Sequence, residues 1–134
     1  MLLPTDAFVA VADGEKLNLF KNTGDEAAPK LVEFQTPDVE SDNKGTGGRH
    51  HSSSANPGDS QQDEDGFAAG IAAMLNKQVL GGHIDRLVII AAPRTLGELR
   101  KHYHKTLSAK LVGEIAKDLT GHSVKDIEKA IAAA

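Results

Sequence analysis

Six histidines and nineteen carboxylates are the side chains with which this sequence could do chemistry, and their spacing decides what that chemistry would be. A structural or catalytic metal needs thiolates or imidazoles converging on one point. There is no cysteine, His50 and His51 stand in a polar, glycine-rich stretch, and His83 and His122 are isolated. His102 and His104 are two residues apart, so on a helix they would not share a face. No His-x-x-x-His pair with a neighbouring acid occurs, and solvated histidines with no bound metal or other cofactor are expected. Metal-assisted hydrolysis would need several carboxylates in one pocket. Asp6, Asp13 and Glu33 lie at or near the first strands and Asp85 precedes a later one. Asp13 is accounted for by an Asp-Gly turn, and Asp6 and Asp85 by strand starts. Nucleophile motifs are missing too: there is no Gly-x-Ser-x-Gly, and Ser52–Ser54 is a low-complexity run. Gly45-Thr-Gly-Gly48 is rich in glycine but lacks the Gly-Lys-Ser/Thr of a phosphate loop. No catalytic constellation is therefore expected.

One cluster is denser. Arg94, Arg100, Lys101, His102, His104, Lys105 and Lys110 fall within a short span, opposed in sequence only by Glu98. Cations near helix C-termini complement the helix dipole, so part of the cluster needs no further reason. Two readings stay open: a solvated face, or a contact surface for an acidic or RNA partner.

The elements that would hold these residues can be read from periodicity. Phe8-Val-Ala-Val-Ala12 is an apolar run followed by Asp13-Gly14, a hairpin signal. Lys16-Leu-Asn-Leu-Phe20 alternates as a half-buried strand does. Lys30-Leu-Val-Glu-Phe34 is a third strand, bounded by Pro29 and Pro37. Across 36–62 the composition turns to Ser, Gly, Asp, Asn, Gln and His, with Val39 the one sizeable apolar residue. Such a segment cannot bury enough surface to offset its ordering entropy, and a disordered loop is expected over 36–62.

Asp63-Glu-Asp65 supplies the negative charge favoured at a helix start. Phe67, Ile71, Met74, Leu75 and Val79 follow at helical spacing until Gly81-Gly82. Arg86-Leu-Val-Ile-Ile-Ala-Ala92 reads as a strand buried on both faces. Pro93 breaks it, and Thr95-Leu-Gly-Glu98 has capping-box spacing ahead of a helix whose face carries Leu96, Leu99 and Tyr103. Residues 109–119 fit either element: Val112, Ile115, Ala116 and Leu119 suit a helix, while Leu111, Gly113 and Ile115 suit alternation. Ser123, with Asp126 at the box position, caps a last helix that turns Ile127, Ala130 and Ile131 inward.

The order is an α/β one: a β-meander, then a crossover helix and a buried strand, giving a single mixed sheet flanked by helices. Its 134 residues suit one domain, 1–134, and aromatics at 4% leave the core to Val, Ile, Leu and Ala. The start has no signal-peptide pattern, and no run approaches the roughly 20 apolar residues of a membrane span. Without cysteine as well, a cytoplasmic protein with no membrane insertion is expected. The net charge of −4 is uneven. Residues 36–66 hold Asp38, Glu40, Asp42, Asp59, Asp63, Glu64 and Asp65 against Lys44 and Arg49, leaving the rest near neutral. That body lacks the basic excess of an autonomous nucleic-acid binder.

The string Leu87-Val-Ile-Ile-Ala-Ala-Pro-Arg-Thr-Leu-Gly-Glu-Leu-Arg100, then Leu111-Val-Gly-Glu-Ile-Ala-Lys-Asp-Leu-Thr120, resembles the bacterial host-attachment protein family, as does Phe8-Val-Ala-Val-Ala-Asp-Gly14. The resemblance covers the chain outside 36–62. It implies a non-enzymatic binding protein, acting in or regulating attachment to host cells through macromolecular contacts with a protein partner not named by the sequence. That family is similar in turn to the middle domain of archaeal and eukaryotic peptide-chain release factors and of the ribosome-rescue protein Pelota. The likeness implies a mixed sheet flanked by helices, a strand at 110–117, and as alternative function a translation-associated factor contacting ribosome or tRNA. In release factors a loop between an early strand and the long helix carries Gly-Gly-Gln, which promotes peptidyl-tRNA hydrolysis. Here Gly47 and Gly48 match the two glycines and Arg49 replaces the glutamine, so hydrolysis is not implied. The binding residues expected are Gly47, Gly48 and Arg49 together with Arg94, Arg100, Lys101, His102 and Lys105.

Overall fold

The computed structural model describes residues 1–35 and 57–134, the side chains of 57–62 excepted. Five strands, β1 (Phe8–Ala12), β2 (Leu17–Asn22), β3 (Leu31–Phe34), β4 (Leu87–Ala91) and β5 (Leu111–Ala116), form one mixed sheet in the order β3-β2-β1-β4-β5. β2 runs antiparallel to β1 and β3, while β4 is parallel to β1 and to β5, so β2 alone is reversed. The helices are α1 (Pro57–Leu80), α2 (Pro93–Arg100), α3 (Lys105–Lys110) and α4 (Val124–Ala133). The α/β class, the meander and the strand at 110–117 are as the sequence and its resemblance implied. Among the described residues no helix is long and apolar enough to cross a membrane.

Strand alternation divides the core into two layers. Phe8, Ala10 and Ala12 with Leu87, Ile89 and Ala91 pack against α1, α2 and α3. Val9, Val11, Val88 and Ile90 face the other way, onto Ile127 and Ile131 of α4 and Leu3 of the N-terminal segment. Every residue of β1 and β4 is buried, which explains why both read as unbroken apolar runs.

Four local expectations are corrected. The long helix starts at Pro57, ahead of the acidic run 63–65, so residues 57–62 are helical and not part of a loop. Proline suits a first helical position because its missing N–H would have no partner there. The expected disorder of 36–56 lies outside the described residues. The same proline logic displaces the Thr95 capping box: α2 starts at Pro93 with Ala92 as an N-cap that makes no side-chain bond, and Thr95 is inside the helix. Tyr103 lies past the end of α2, in the connection to α3, though it still packs on the core. The short helix α3, which precedes β5, was not read as a separate element.

The ambiguity at 109–119 has a geometric origin. In the β4–β5 register Leu87 pairs with Leu111 but Val88 pairs with Gly113, so Val112 is an extra, bulged residue. Val112 and Ile115 thereby reach the same layer three residues apart, imitating helical spacing on a strand. A Cβ on Gly113 would stand 2.5 Å from the tip of the flexible Met1 side chain, which would have to shift to admit it. Gly82, at φ +82, ends α1 in the left-handed conformation that glycine adopts without strain. Ser123 caps α4 as expected, its hydroxyl accepting from the Asp126 N–H at 3.1 Å.

Candidate nucleic-acid interface

With β1, β3, β4 and β5 parallel, their carboxyl ends share one edge of the sheet. The chain leaves β3 at that edge and returns at the N-terminus of α1, since a helix joining two parallel strands runs back along the sheet. Residues 36–56 join the two in sequence. Gly47, Gly48 and Arg49 belong to that segment and lie outside the described residues. α2 leaves from the same edge after β4. Between α1 and α2 opens a groove of about 360 Å³ lined by Asp65, Pro93, Arg94, Gly97, Glu98 and Lys101. Open parallel sheets commonly bind ligands at this edge.

The basic residues do not form one patch. Arg94 stands at the carboxyl edge, Lys101 at the C-cap of α2, and Lys105 and Lys110 at the two ends of α3. Nor is Glu98 the single opposing acid. Arg100 donates through Nε at 3.1 Å and Nη2 at 2.8 Å to one oxygen of Glu114, on β5. Lys110 pairs with Asp85 at 2.9 Å, and Glu98 takes both Lys101 at 3.0 Å and His102 at 3.4 Å. His104 is committed to structure: its Nδ1 accepts from the Thr106 N–H at 3.0 Å and caps α3. Arg94 and Lys105, both exposed, make no ion pair among the described residues.

Three residues assigned no role in the site from sequence, Tyr103, Glu114 and Asn76, organise this region. The other oxygen of Glu114 accepts the Tyr103 hydroxyl at 2.7 Å. Burial, and then the Glu114 carboxylate that the hydroxyl serves, push the Tyr103 phenol well above its ordinary value and keep it a donor. Asn76 of α1 donates to the His102 carbonyl at 2.9 Å and accepts from the His104 N–H at 2.8 Å, fixing the turn between α2 and α3. The available signals were slight: an acid inside an otherwise apolar strand, and one Asn on a helix.

The Glu98 carboxyl is held below its usual range, first by the hydrogen bond from Lys101. Lys110 does the same for Asp85. On the far side of the edge, Thr120 Oγ1 lies 2.9 Å from Asp13 Oδ2 and 2.6 Å from Asp118 Oδ1. Asp13 Oδ1 also accepts the N–H groups of Glu15 and Lys16 at 2.7 and 2.6 Å. Burial works to raise the Asp13 carboxyl, but those backbone bonds and the Thr120 hydroxyl outweigh it, and the net shift is downward. The Asp-Gly turn predicted from sequence is therefore an Asp side chain closing its own hairpin. Among the described residues no group of three or more acids and histidines is placed to hold a metal ion.

A comparison with curated proteins returns no match. Over residues 6–131, nearly its whole length, the chain matches the sequence pattern of the bacterial archaeo-eukaryotic release factor family 12. The matched range includes both edge strands, residues 36–56 and the α2–α3 face. The release-factor resemblance holds, while the host-attachment name is not what the match carries. The chain belongs to bacterial archaeo-eukaryotic release factor family 12.

Proposed function

We propose that this protein is a translation-associated factor that contacts the ribosome or tRNA and does not hydrolyse peptidyl-tRNA. The observation that carries the reading is the family match over residues 6–131. Two features of the chain support it. By the likeness to release factors, the stretch between β3 and α1 corresponds to the one that carries Gly-Gly-Gln in them, and here it holds Gly47 and Gly48 followed by Arg49. Two glycines permit close approach of the backbone to a crowded centre. Arginine offers only donors, with no carbonyl to accept a bond from water, yet it pairs well with phosphate. Binding is retained in this chemistry and hydrolysis is not. Arg94, Arg100, Lys101, His102 and Lys105 are the further contact candidates, with Arg94 and Lys105 the least committed to internal pairs.

An attachment role through a protein partner is the other reading the sequence offered, and the release-factor match lends it no support. Sedimentation of the full chain with ribosomes, at low and at raised salt, tests the proposal. Salt-sensitive co-sedimentation is expected, because phosphate contacts weaken as counterions compete. Absence of association at low salt would overturn it. Release from programmed ribosomes above background, lost on Gly48→Ala, would show that the chain is hydrolytic.

A further inference from the structure

The sequence Ala92-Pro-Arg-Thr-Leu-Gly-Glu-Leu-Arg100 gives its buried residues, Leu96 and Leu99, to the core. Its other half faces the groove, and one residue there has no explanation inside the fold. Gly97 sits within α2, where glycine is the poorest helix former after proline. It does not use the left-handed conformation, since the described glycines with positive φ are Gly82 and Gly121. It does not relieve crowding either, because a Cβ built on it meets nothing within 4 Å. Neither backbone nor packing asks for glycine, yet it leaves the helix bare where it lines the groove.

The surroundings of that bare patch have a pattern. Arg94, Gly97 and Lys101 follow at i, i+3 and i+7, so they lie along one stripe of the helix, with a cation at each end. Those two residues are separated by roughly 10 Å of helix rise, which suits a length of charged strand better than a single anion. Arg94 has no carboxylate partner among the described residues. Lys101 shares Glu98 in an exposed pair, which exchanges for another anion at little cost. Asp65 and Glu98 also line the groove; carboxylates repel phosphate, but Glu98 beside the stripe can accept a hydrogen bond, as a ribose 2′-hydroxyl would offer and deoxyribose would not. The volume of about 360 Å³ is at the small end for ligand clefts and suits a short stretch of one strand.

We propose that this groove holds the sugar-phosphate backbone of single-stranded RNA, with phosphates on Arg94 and Lys101 and the strand lying against the bare helix at Gly97. The proposal rests on the translation-associated reading and names the surface through which it acts. Anisotropy titration of the full chain with a labelled uridine decamer, and with its deoxy counterpart, tests it beside ribosome co-sedimentation. Gly97→Ala is the decisive variant, because the added methyl enters open space in the free protein. It should raise the melting temperature by roughly 2–4 °C, since alanine favours the helix, while weakening RNA binding several-fold. Arg94→Gln should weaken binding about tenfold and lower the salt slope by about 1. Lys125→Gln, exposed on α4 across the sheet from the groove, should leave decamer binding nearly unchanged. If ribosomes still sediment with the wild type but Gly97→Ala and Arg94→Gln bind RNA as it does, the groove is overturned and the broader reading stands. Equal affinity for the deoxy decamer overturns the ribose assignment. Failure of the wild type to sediment with ribosomes overturns the reading itself.

Discussion

Replacing Asn22 should unfold this protein more readily than any surface change, and the structure says by how much. Asn22 is the one buried polar residue among the described residues, at 0% exposure, and its amide is fully used. Nδ2 donates to the carbonyls of Leu3 at 3.0 Å and Pro4 at 3.1 Å, and Oδ1 accepts from the N–H groups of Gly24 and Lys30 at 2.9 Å each. One side chain thus ties the N-terminal segment to both sides of the β2–β3 turn. At a net of about 1 kcal/mol per bond, with several polar groups left unpaired, Asn22→Ala should cost about 3–5 kcal/mol. With an unfolding entropy of about 2.1 cal/mol/K per residue, each kcal/mol moves the midpoint by roughly 3.5 °C in a chain of this length. The expected fall is therefore about 10–18 °C, read by thermal and urea unfolding. Asn22→Asp sharpens the test. It keeps the acceptor but aims a carboxylate oxygen at two carbonyls, so the folded state favours the protonated acid and its pKa rises above the unfolded value. Stability should then be highest below the unfolded pKa and fall as pH rises through the folded one. A loss under about 1 kcal/mol for Asn22→Ala, or an Asp variant with the pH profile of the wild type, would refute the reasoning.

Tyr103 is the only tyrosine and there is no tryptophan, so near-ultraviolet absorbance reports its ionisation alone. Its raised folded pKa is a stability term present below the unfolded value and lost as pH climbs above it, so phenolate should appear only with alkaline unfolding, above about pH 10. Asp13 shifts the other way: its contribution is present above the unfolded carboxyl pKa and lost as pH falls through the lower folded one, so Asp13→Asn should flatten the acid limb of urea midpoints measured between about pH 2 and 5. Ser123→Ala should cost about 1 kcal/mol by removing a real N-cap, whereas Thr95→Ala, at a predicted cap that the fold does not use, should change urea stability by less than about 0.5 kcal/mol.

The fold was legible where a single layer controlled the pattern. β1 and β4 are buried on both faces and read as apolar runs; α4 has one buried stripe and an unambiguous cap at Ser123. It was illegible where two signals compete within a few residues. Pro93 both ends β4 and starts α2, so the acid three residues after Thr95 looked like a capping box although the helix had already begun. The extra residue at Val112 shifted the strand alternation and made β5 resemble a helix. Acidic residues 63–65 marked a helix start by charge, while Pro57 had set it by backbone geometry.

The site was harder to read than the fold because charge on a surface is decided by what arrives from elsewhere in the chain. A run of cations from Arg94 to Lys110 looks like a nucleic-acid face when only its neighbours in sequence are counted. Folding brings Glu114 from β5 onto Arg100 and Asp85 from just before β4 onto Lys110, and it commits the His104 ring to capping α3. Of that run, Arg94 at the carboxyl edge of the sheet and Lys105 at the start of α3 keep no ion pair among the described residues. Exposed pairs of this kind contribute little to stability, so their main effect is on charge: each carboxylate cancels a cation that a phosphate would otherwise find. The exception is Arg100, since Glu114 is held from its other side by the partly buried Tyr103 and cannot swing away without leaving that hydroxyl unpaired. A near-neutral body with Arg94 unpaired among the described residues beside a bare helix is then consistent with weak, salt-sensitive binding that acts only where a large RNA assembly presents its backbone in the right place.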